Sequence, residues 1–193
     1  MKGKTMKTQH IQISMIPAIL YGEPAQRGYL FLHGQMGHKE EAAAFALIAC
    51  PKGYQVLSID LPGHGERQNR DEVFTPWTAV PDIQAALHWS KQHWKTVSLR
   101  ANSIGAYFAM LALDTPRRAL LVSPIVDMER LILTMMGWAG VSEEQLKEQG
   151  EIATSFGQTL SWTYLCWVRE HPVHHWDCPI CILYGSGDNM TPR

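Results

Sequence analysis

The sequence predicts an α/β protein with a mostly parallel, twisted sheet that carries helices on both faces. Two observations lead to this fold class. Short apolar stretches typical of buried strands alternate along the chain with longer segments of helical periodicity. Strands joined by helices pair in parallel, and the helices then cover the sheet. One long segment, 125–176, interrupts this alternation and is predicted to be a helical insertion between two strands.

The predicted elements follow one another in a regular order. Pro17 is expected to break the segment 10–22 into two short strands. Further strands are expected at 29–34, 54–63, 96–101, 119–124 and 179–185. Helices are expected at 39–50, 79–94 and 103–113 and, within the insertion, at 127–137, 142–149 and 159–169.

Length and composition favour a single domain and exclude several classes of protein. The 193 residues, 46% of them hydrophobic, suffice for one sizeable core but not for two large ones. The formal net charge of -1 gives no sign of a nucleic-acid partner. No apolar run reaches the roughly 18 residues of a membrane span, and no signal peptide is apparent. Four cysteines do not suggest a disulfide framework, so a cytoplasmic location is expected.

We divide the chain into a core, 1–124 with 177–193, and the insertion at 125–176. The insertion holds four of the seven tryptophans, Trp138, Trp162, Trp167 and Trp176. An inserted segment rich in large apolar side chains is typical of a lid over a pocket. The alternative is that these tryptophans only pack the insertion onto the core.

The segment ANSIG, 101–105, raises the first question about chemistry. Ser103 lies between a predicted strand that ends at Ala101 and a helix that starts near Ile104. So sharp a turn strains the middle residue and exposes its hydroxyl, as at a nucleophile. Gly105 is small where strand and helix approach each other, and Ala101 departs from the usual G-x-S-x-G. Taken alone, the motif leaves open whether Ser103 is a nucleophile or a helix cap.

Two earlier segments could complete such a site. In FLHGQMG, 31–37, a strand leads into a glycine-bearing loop. A serine nucleophile needs donors for the developing oxyanion, and the backbone amides of Gln35 and Ile104 are the candidates. His33 is expected to hold the loop backbone. In DLPGHG, 60–65, a tight turn follows a strand, and His64 is a less favoured candidate for a base.

A late segment, GSGD, offers an acid. Asp188 follows a predicted strand and a glycine turn. A carboxylate in such a place can orient and stabilise a catalytic imidazolium.

These four segments, in this order, resemble those of the α/β-hydrolase family. The matching segments are 33–37, 60–65, 101–105 and 185–188, and the resemblance covers about 10–193. It implies the α/β-hydrolase fold, with the insertion in the family's usual lid position. It also implies a Ser–Asp–His triad in that order, with Ser103 as nucleophile and Asp188 as acid. Asp127, which follows LLVSP, is the alternative acid.

The base is the missing member of this triad. The resemblance implies a histidine after one more strand, yet all nine histidines precede Asp188. Without a base, a serine hydroxyl is a poor nucleophile near neutral pH. We therefore expect a truncated chain, with the last strand, the histidine and the last helix beyond residue 193, so that the 193 residues alone are inactive. A base drawn from His171, His174 or His175 is the alternative.

Truncation would also affect assembly. The strand at 180–184 would be an unpaired edge, which is prone to association. A homodimer is therefore compatible with the sequence.

Other ligand motifs are weaker. The segment HPVHHWDCPIC contains zinc-ligand residue types but only one Cys-x-x-Cys pair, and Cys181 falls in a predicted buried strand. The HGQMG loop lacks the spacing of nucleotide-binding loops. We therefore expect neither a metal nor a cofactor.

The sequence thus predicts a serine hydrolase that cleaves a carboxylic ester or thioester of a small, partly apolar substrate through an acyl-enzyme. Ser103 and Asp188 are the catalytic candidates, and Gln35 and Ile104 form the oxyanion hole. Met36, Trp138 and Trp162 are expected to contact the substrate. The alternative function is a catalytically silent relative that binds a ligand.

Overall fold

The computed structural model describes residues 6–188. In this range the strands are β1 (Thr8–Ile13), β2 (Ile16–Tyr21), β3 (Arg27–Leu32), β4 (Gln55–Ile59), β5 (Thr96–Asn102), β6 (Ala119–Val122), β7 (Glu151–Ala153), β8 (Thr159–Ser161) and β9 (Ile180–Leu183). The α-helices are α1 (Ala42–Ala49), α2 (Pro76–His93), α3 (Ser103–Ala112), α4 (Met128–Ala139), α5 (Glu143–Gln149) and α6 (Trp162–Glu170).

Seven strands form one mixed sheet in the order β1-β2-β4-β3-β5-β6-β9. Strands β4, β3, β5, β6 and β9 are parallel, whereas β2 is antiparallel to both of its neighbours. The predicted fold class is therefore confirmed. Parallel pairing brings the carboxyl ends of β3, β4, β5, β6 and β9 to the same edge, where the candidate site residues follow.

Helices cover both faces of the sheet. On one face, the alanines of α1 pack against apolar side chains of β2, β3 and β4. On the other, a larger core joins α2 and α3 to the sheet and continues into the insertion through Leu146, Leu160 and Leu165. The insertion is thus packed onto the rest of the molecule by buried apolar contacts.

The first hairpin turns at a different place from the one predicted. The break lies at Ser14 and Met15, where Ser14 has a φ of 57°. Pro17 instead lies inside β2, and its carbonyl accepts the amide of Asp60 (3.0 Å). The prediction was wrong because proline lacks an amide hydrogen but keeps a carbonyl that can accept a hydrogen bond within a sheet. Here that carbonyl accepts the amide of Asp60, which directly follows the neighbouring strand β4.

The insertion contains the three predicted helices and one feature that was not predicted. Strands β7 and β8 form a short antiparallel hairpin, so the third helix begins at Trp162 and not at residue 159. Each strand has three residues, too few for a period-2 pattern to stand out.

Strand β9 is an edge strand, as the sequence predicted, but it is not buried. It pairs with β6 on one side, and all four of its residues, including Cys181, are exposed. The expectation of a buried strand was wrong, because among the described strands β9 has a neighbour on one side only and its side chains stay accessible. Over residues 6–188, no helix is both long and apolar enough to cross a membrane.

Candidate active site at the carboxyl edge of the sheet

Ser103 lies at the junction of β5 and α3 and has a left-handed backbone, with a φ of 47°. This conformation is strained for a residue with a side chain. The turn also needs Gly105, because a Cβ there would overlap the carbonyl oxygen of His33. A Cβ on Gly34 would lie 3.3 Å from the Cβ of Ser103. The end of β3 and the start of α3 therefore meet at close range, as the small residues of the motif predicted.

The loop after β3 faces this turn. The amide of Gly37 donates to the carbonyl of Gly34 (3.2 Å), and Met36 is left-handed, with a φ of 61°. The side chain of Gln35 donates to Gln158 of the insertion (3.3 Å). Ile104 lies in the first turn of α3, where amides have no partner within the helix. Gln35 and Ile104 both line the same cavity as Ser103.

His33 holds this loop in place. Its Nε2 accepts the amide of Leu61 (3.0 Å), so its Nδ1 carries the proton and donates to the carbonyl of Gly34 (2.7 Å). Burial lowers the pKa of the imidazole from 6.5 to about 4. His33 is therefore neutral near pH 7 with both nitrogens engaged, in agreement with its predicted structural role.

A buried ion pair fixes the other end of the loop. Lys39 is only 1% exposed, and its ammonium donates to Asp60 (2.7 Å), Glu66 (2.8 Å) and Glu40 (3.1 Å). Burial alone would lower the pKa of Lys39, but these hydrogen bonds, led by the one to Asp60, raise it above the ordinary value. Asp60 also accepts the backbone amides of Lys39 (2.8 Å) and Glu66 (3.0 Å).

Sequence reasoning missed Lys39. Asp60 and its glycine-rich turn were singled out, but a lysine before an alanine-rich helix has the pattern of an exposed residue. Lys39 has a buried partner only because Asp60, which lies 21 residues later in the turn after β4, is placed beside it by the fold.

A cavity of about 210 Å³ brings the predicted residues Ser103, Ile104 and Gln35 together. The rest of its wall comes mainly from the insertion. The other lining residues are Ile125, Met128, Leu131, Ile132, Met135, Gln158, Thr159, Leu160, Ser161 and Tyr164. The α4 residues of this lining are apolar, whereas those of the segment 158–161 are mostly polar.

The three residues predicted to contact substrate are not among this lining. Met36 is 89% exposed, and Trp138 is 50% exposed with its ring against Phe156 (6.0 Å between centroids). Trp162 lies under the ammonium of Lys147 (5.9 Å). The α4 residues at the cavity were missed, although their spacing at 128, 131, 132 and 135 is that of one helical face. Periodicity identifies an apolar face but does not distinguish a core from a cavity wall.

The two candidate acids occupy different settings. Asp188 follows β9 at the same sheet edge as Ser103, and its amide donates to Gly185 (3.1 Å). Asp127 caps α4, with its carboxylate accepting the amide of Arg130 (2.9 Å). The carboxylate of Asp127 is therefore already engaged as the N-cap of α4.

No histidine is among the described residues that line the Ser103 cavity. His64 is bonded to the carbonyl of Pro62 (2.8 Å), and His171 is bonded to the carbonyl of Trp167 (2.8 Å) and stacks on its ring. The amide of His174 donates to Met110 (3.1 Å), seven residues or about 10 Å along α3 from Ser103. The predicted histidine beyond residue 193 lies outside the described residues. Over 6–188, no cluster of His, Cys, Asp or Glu could hold a metal ion.

Comparisons with known proteins fit this architecture. The model of the alpha/beta hydrolase family matches residues 29–190. Among curated proteins no sequence matches the chain.

Several solved structures share the fold. The chain is similar to Est1E from Butyrivibrio proteoclasticus with bound ferulic acid (TM-score 0.73, 19% identity, 95% of this chain and 81% of that chain). It is also similar to a putative hydrolase from Agrobacterium vitis S4 (0.71, 18%, 98% and 82%). A third is alpha/beta hydrolase domain-containing protein 10 from mouse (0.69, 14%, 98% and 80%). At these identities the likeness shows the fold alone.

Proposed function

Because the chain belongs to the alpha/beta hydrolase family, we propose that it is a serine hydrolase that cleaves a carboxylic ester or thioester of a small, partly apolar molecule. One observation carries the proposal. Ser103 lies on a strained turn and shares a cavity with Gln35 and Ile104, whose amides are the candidate oxyanion donors. The cavity supports the proposal because the candidate nucleophile, the candidate donors and room for a substrate lie together.

The reaction follows from these positions. The Ser103 hydroxyl attacks the carbonyl carbon and gives its proton to a histidine base, for which Asp188 is the proposed orienting acid. The carbonyl oxygen becomes an oxyanion held by the amides of Gln35 and Ile104. The alcohol or thiol leaves with the proton, and an acyl group remains on Ser103. Water, deprotonated by the same base, releases the acid and restores the serine.

The insertion supports the proposed substrate class. Its helix α4 lines the cavity with Met128, Leu131, Ile132 and Met135, so an apolar part of the substrate would be buried there. We propose on this ground that the insertion at 125–176 acts as a lid. Its helices are tied to one another by Arg169, which bonds Glu129 (2.6 Å) and Glu143 (2.8 Å).

Turnover of 4-nitrophenyl esters of rising acyl length by the full-length protein tests this function. We expect hydrolysis that disappears in Ser103→Ala, with kcat/KM rising from the acetate to esters of medium length. A preference for the shortest ester would contradict the apolar substrate.

A ligand-binding protein without catalysis is the second candidate. It is favoured by the engagement of His33, His64 and His171 in local hydrogen bonds. It predicts that such esters bind to the full-length protein without being hydrolysed, even where the chain contains a histidine beyond residue 193.

A further inference from the structure

A second cavity lies at the opposite edge of the sheet from Ser103, where β5 and β6 begin. It has a volume of about 420 Å³ and is formed by the end of α2, the start of β5 and the segment between α3 and β6. Leu113, which lines it, follows Ser103 by ten residues, or about 15 Å along α3. No described residue lines both cavities. We call this second one the amino-edge cavity.

Three cationic side chains line the amino-edge cavity, and all three are exposed: Lys91, Lys95 and Arg117. None of them forms a salt bridge with a described residue. Asp114 is the one carboxylate among the described lining residues, so three positive charges and one negative charge leave a balance of +2. Cations gathered without partners repel one another and create a positive potential. A bound anion would relieve this repulsion.

The backbone that carries two of these cations is fixed to the sheet. The amide of Lys95 donates to the carbonyl of Gln26 (2.9 Å), and the amide of Arg117 donates to the carbonyl of Val97 (2.9 Å). Both side chains have long flexible stems, so their charged groups can reach a ligand while the backbone stays in place. An anion would meet donors from two segments, and a guanidinium can bind a phosphate through two parallel hydrogen bonds.

The buried part of the lining is apolar and fixed in place. Trp94 is 4% exposed, and its indole Nε1 donates to the side chain of Gln55 (3.0 Å). Its ring lies against β3, because a Cβ on Gly28 would overlap it. The other buried lining residues are Leu113 and Pro116. A ligand can therefore place an apolar group on this surface while its charge stays at the exposed cations.

Size and charge together limit the ligand. The volume of about 420 Å³ exceeds the roughly 150 Å³ that accepts benzene in an engineered protein, so an aromatic group of two fused rings fits. A phosphate monoester carries a charge of about −1.5 to −2 near pH 7, which matches the balance of the lining. A carboxylate or a sulfate monoester carries a single charge and matches it less well.

We propose that the amino-edge cavity binds a phosphate monoester of an apolar alcohol or phenol. The phosphate lies at Lys95 and Arg117, with Lys91 as a third cation beside it, and the apolar group packs against Trp94. This binding site is separate from the Ser103 cavity and does not depend on the proposed function.

Four probes test the parts of such a ligand: 1-naphthyl phosphate, 1-naphthyl sulfate, 1-naphthol and inorganic phosphate. Their binding to the full-length protein is measured by titration calorimetry near pH 7 and at low salt. We expect 1-naphthyl phosphate to bind about tenfold or more tightly than 1-naphthol or inorganic phosphate, because it alone combines the double charge with the apolar group. The sulfate is expected to bind several-fold more weakly than the phosphate ester.

Two double variants locate the site. Lys95→Gln with Arg117→Gln is expected to weaken the binding of 1-naphthyl phosphate about tenfold or more and to leave that of 1-naphthol unchanged. Lys52→Gln with Arg130→Gln removes the same charge from exposed residues outside the cavity, so it is the matched control and should bind all four probes as the parent does. All four residues are exposed, so neither variant should lower the melting temperature.

Four outcomes would overturn the proposal: no binding of 1-naphthyl phosphate, equally tight binding of 1-naphthol, equal binding of the phosphate and sulfate esters, or similar losses in the two double variants. Ser103→Ala should bind 1-naphthyl phosphate with unchanged affinity, and a loss there would place the ligand in the Ser103 cavity instead. Failure of the proposed function has a different signature, because ester hydrolysis would be absent while 1-naphthyl phosphate still bound.

Discussion

Strands β5 and β6 lie side by side, and a serine with a left-handed backbone follows the last paired positions of each. The φ angle is 47° at Ser103 and 42° at Ser123. What comes next differs. Ser103 is followed by Ile104 in the first turn of α3, whereas Ser123 is followed by Pro124, which has no amide hydrogen. The amide of Ser123 itself is bonded to Leu183 of β9 (2.7 Å).

We infer from this comparison that a left-handed serine at the end of a strand does not by itself predict a nucleophile. An oxyanion needs a donor on the residue after the serine and a second donor opposite. The end of β5 has Ile104 and, lining the same cavity, Gln35. Pro124 cannot provide the first of these. We therefore attribute the difference in expected reactivity to the neighbours of the two serines and not to their backbone angles.

The largest expected effect comes from Gly105→Ala, which disrupts the close approach between the start of α3 and the end of β3. The added methyl group would overlap the carbonyl oxygen of His33, so α3 must shift and move the Ile104 amide. We expect ester hydrolysis to fall about 100-fold or more and stability by about 3 kcal/mol. Steady-state kinetics and urea unfolding measure both. The matched control is Gly137→Ala on α4, where a Cβ meets nothing within 4 Å. Unchanged activity in Gly105→Ala would contradict the claim that the overlap with His33 displaces α3.

The next effect concerns the loop that brings Gln35 to the end of β5. Lys39→Met strands the buried carboxylate of Asp60, and we expect a loss of about 3 kcal/mol or more in the free energy of unfolding. Arg169→Met, which removes an equally well-bonded but accessible cation, should change it far less. Similar losses of unfolding free energy in the two variants would show that burial does not make the Lys39 ion pair more stabilising than that of Arg169.

His33 supports the same loop and makes its stability depend on pH. The unfolded imidazole binds a proton near pH 6.5, but the native one does so only near pH 4. The unfolded state therefore binds a proton at a higher pH than the native state does. As the pH drops from 6.5 to 4, the free energy of unfolding falls by about 3 kcal/mol. Chemical denaturation across this range should show a shallower dependence in His33→Gln. Parallel profiles of the two proteins would contradict the assignment.

The smallest effect tests the link between the loop and the insertion. Gln158→Ala removes the hydrogen bond to Gln35 (3.3 Å), an exposed contact worth about 1 kcal/mol or less. We expect kcat/KM to fall about two- to fivefold without a change in melting temperature. Gln149→Ala, in an exposed part of the same insertion, serves as the control and should leave kcat/KM unaltered.

Much of the end of β5 could be predicted from the sequence, because its constraints are local. A serine flanked by small residues between a strand and a helix predicts the turn, and the glycines of 33–37 predict the facing loop. The order of strands and helices likewise predicts the mostly parallel sheet.

What escaped prediction depends on distant partners. Lys39 is buried against Asp60, and the apolar face of α4 belongs to the core and also lines the Ser103 cavity. The tryptophans Trp138 and Trp162 were chosen for their type, but their contacts are with neighbours inside the insertion. Pattern and composition carry no information about such pairings.

Labelling with a fluorophosphonate probe tests the central claim most directly. The full-length protein, its Ser103→Ala variant and its Ser123→Ala variant are treated in parallel, and the modified peptide is identified by mass spectrometry. We predict one adduct per chain on Ser103, absent in Ser103→Ala and retained in Ser123→Ala. Labelling that persists in folded Ser103→Ala, or no labelling of the folded full-length protein, would contradict the assignment of Ser103 as the nucleophile.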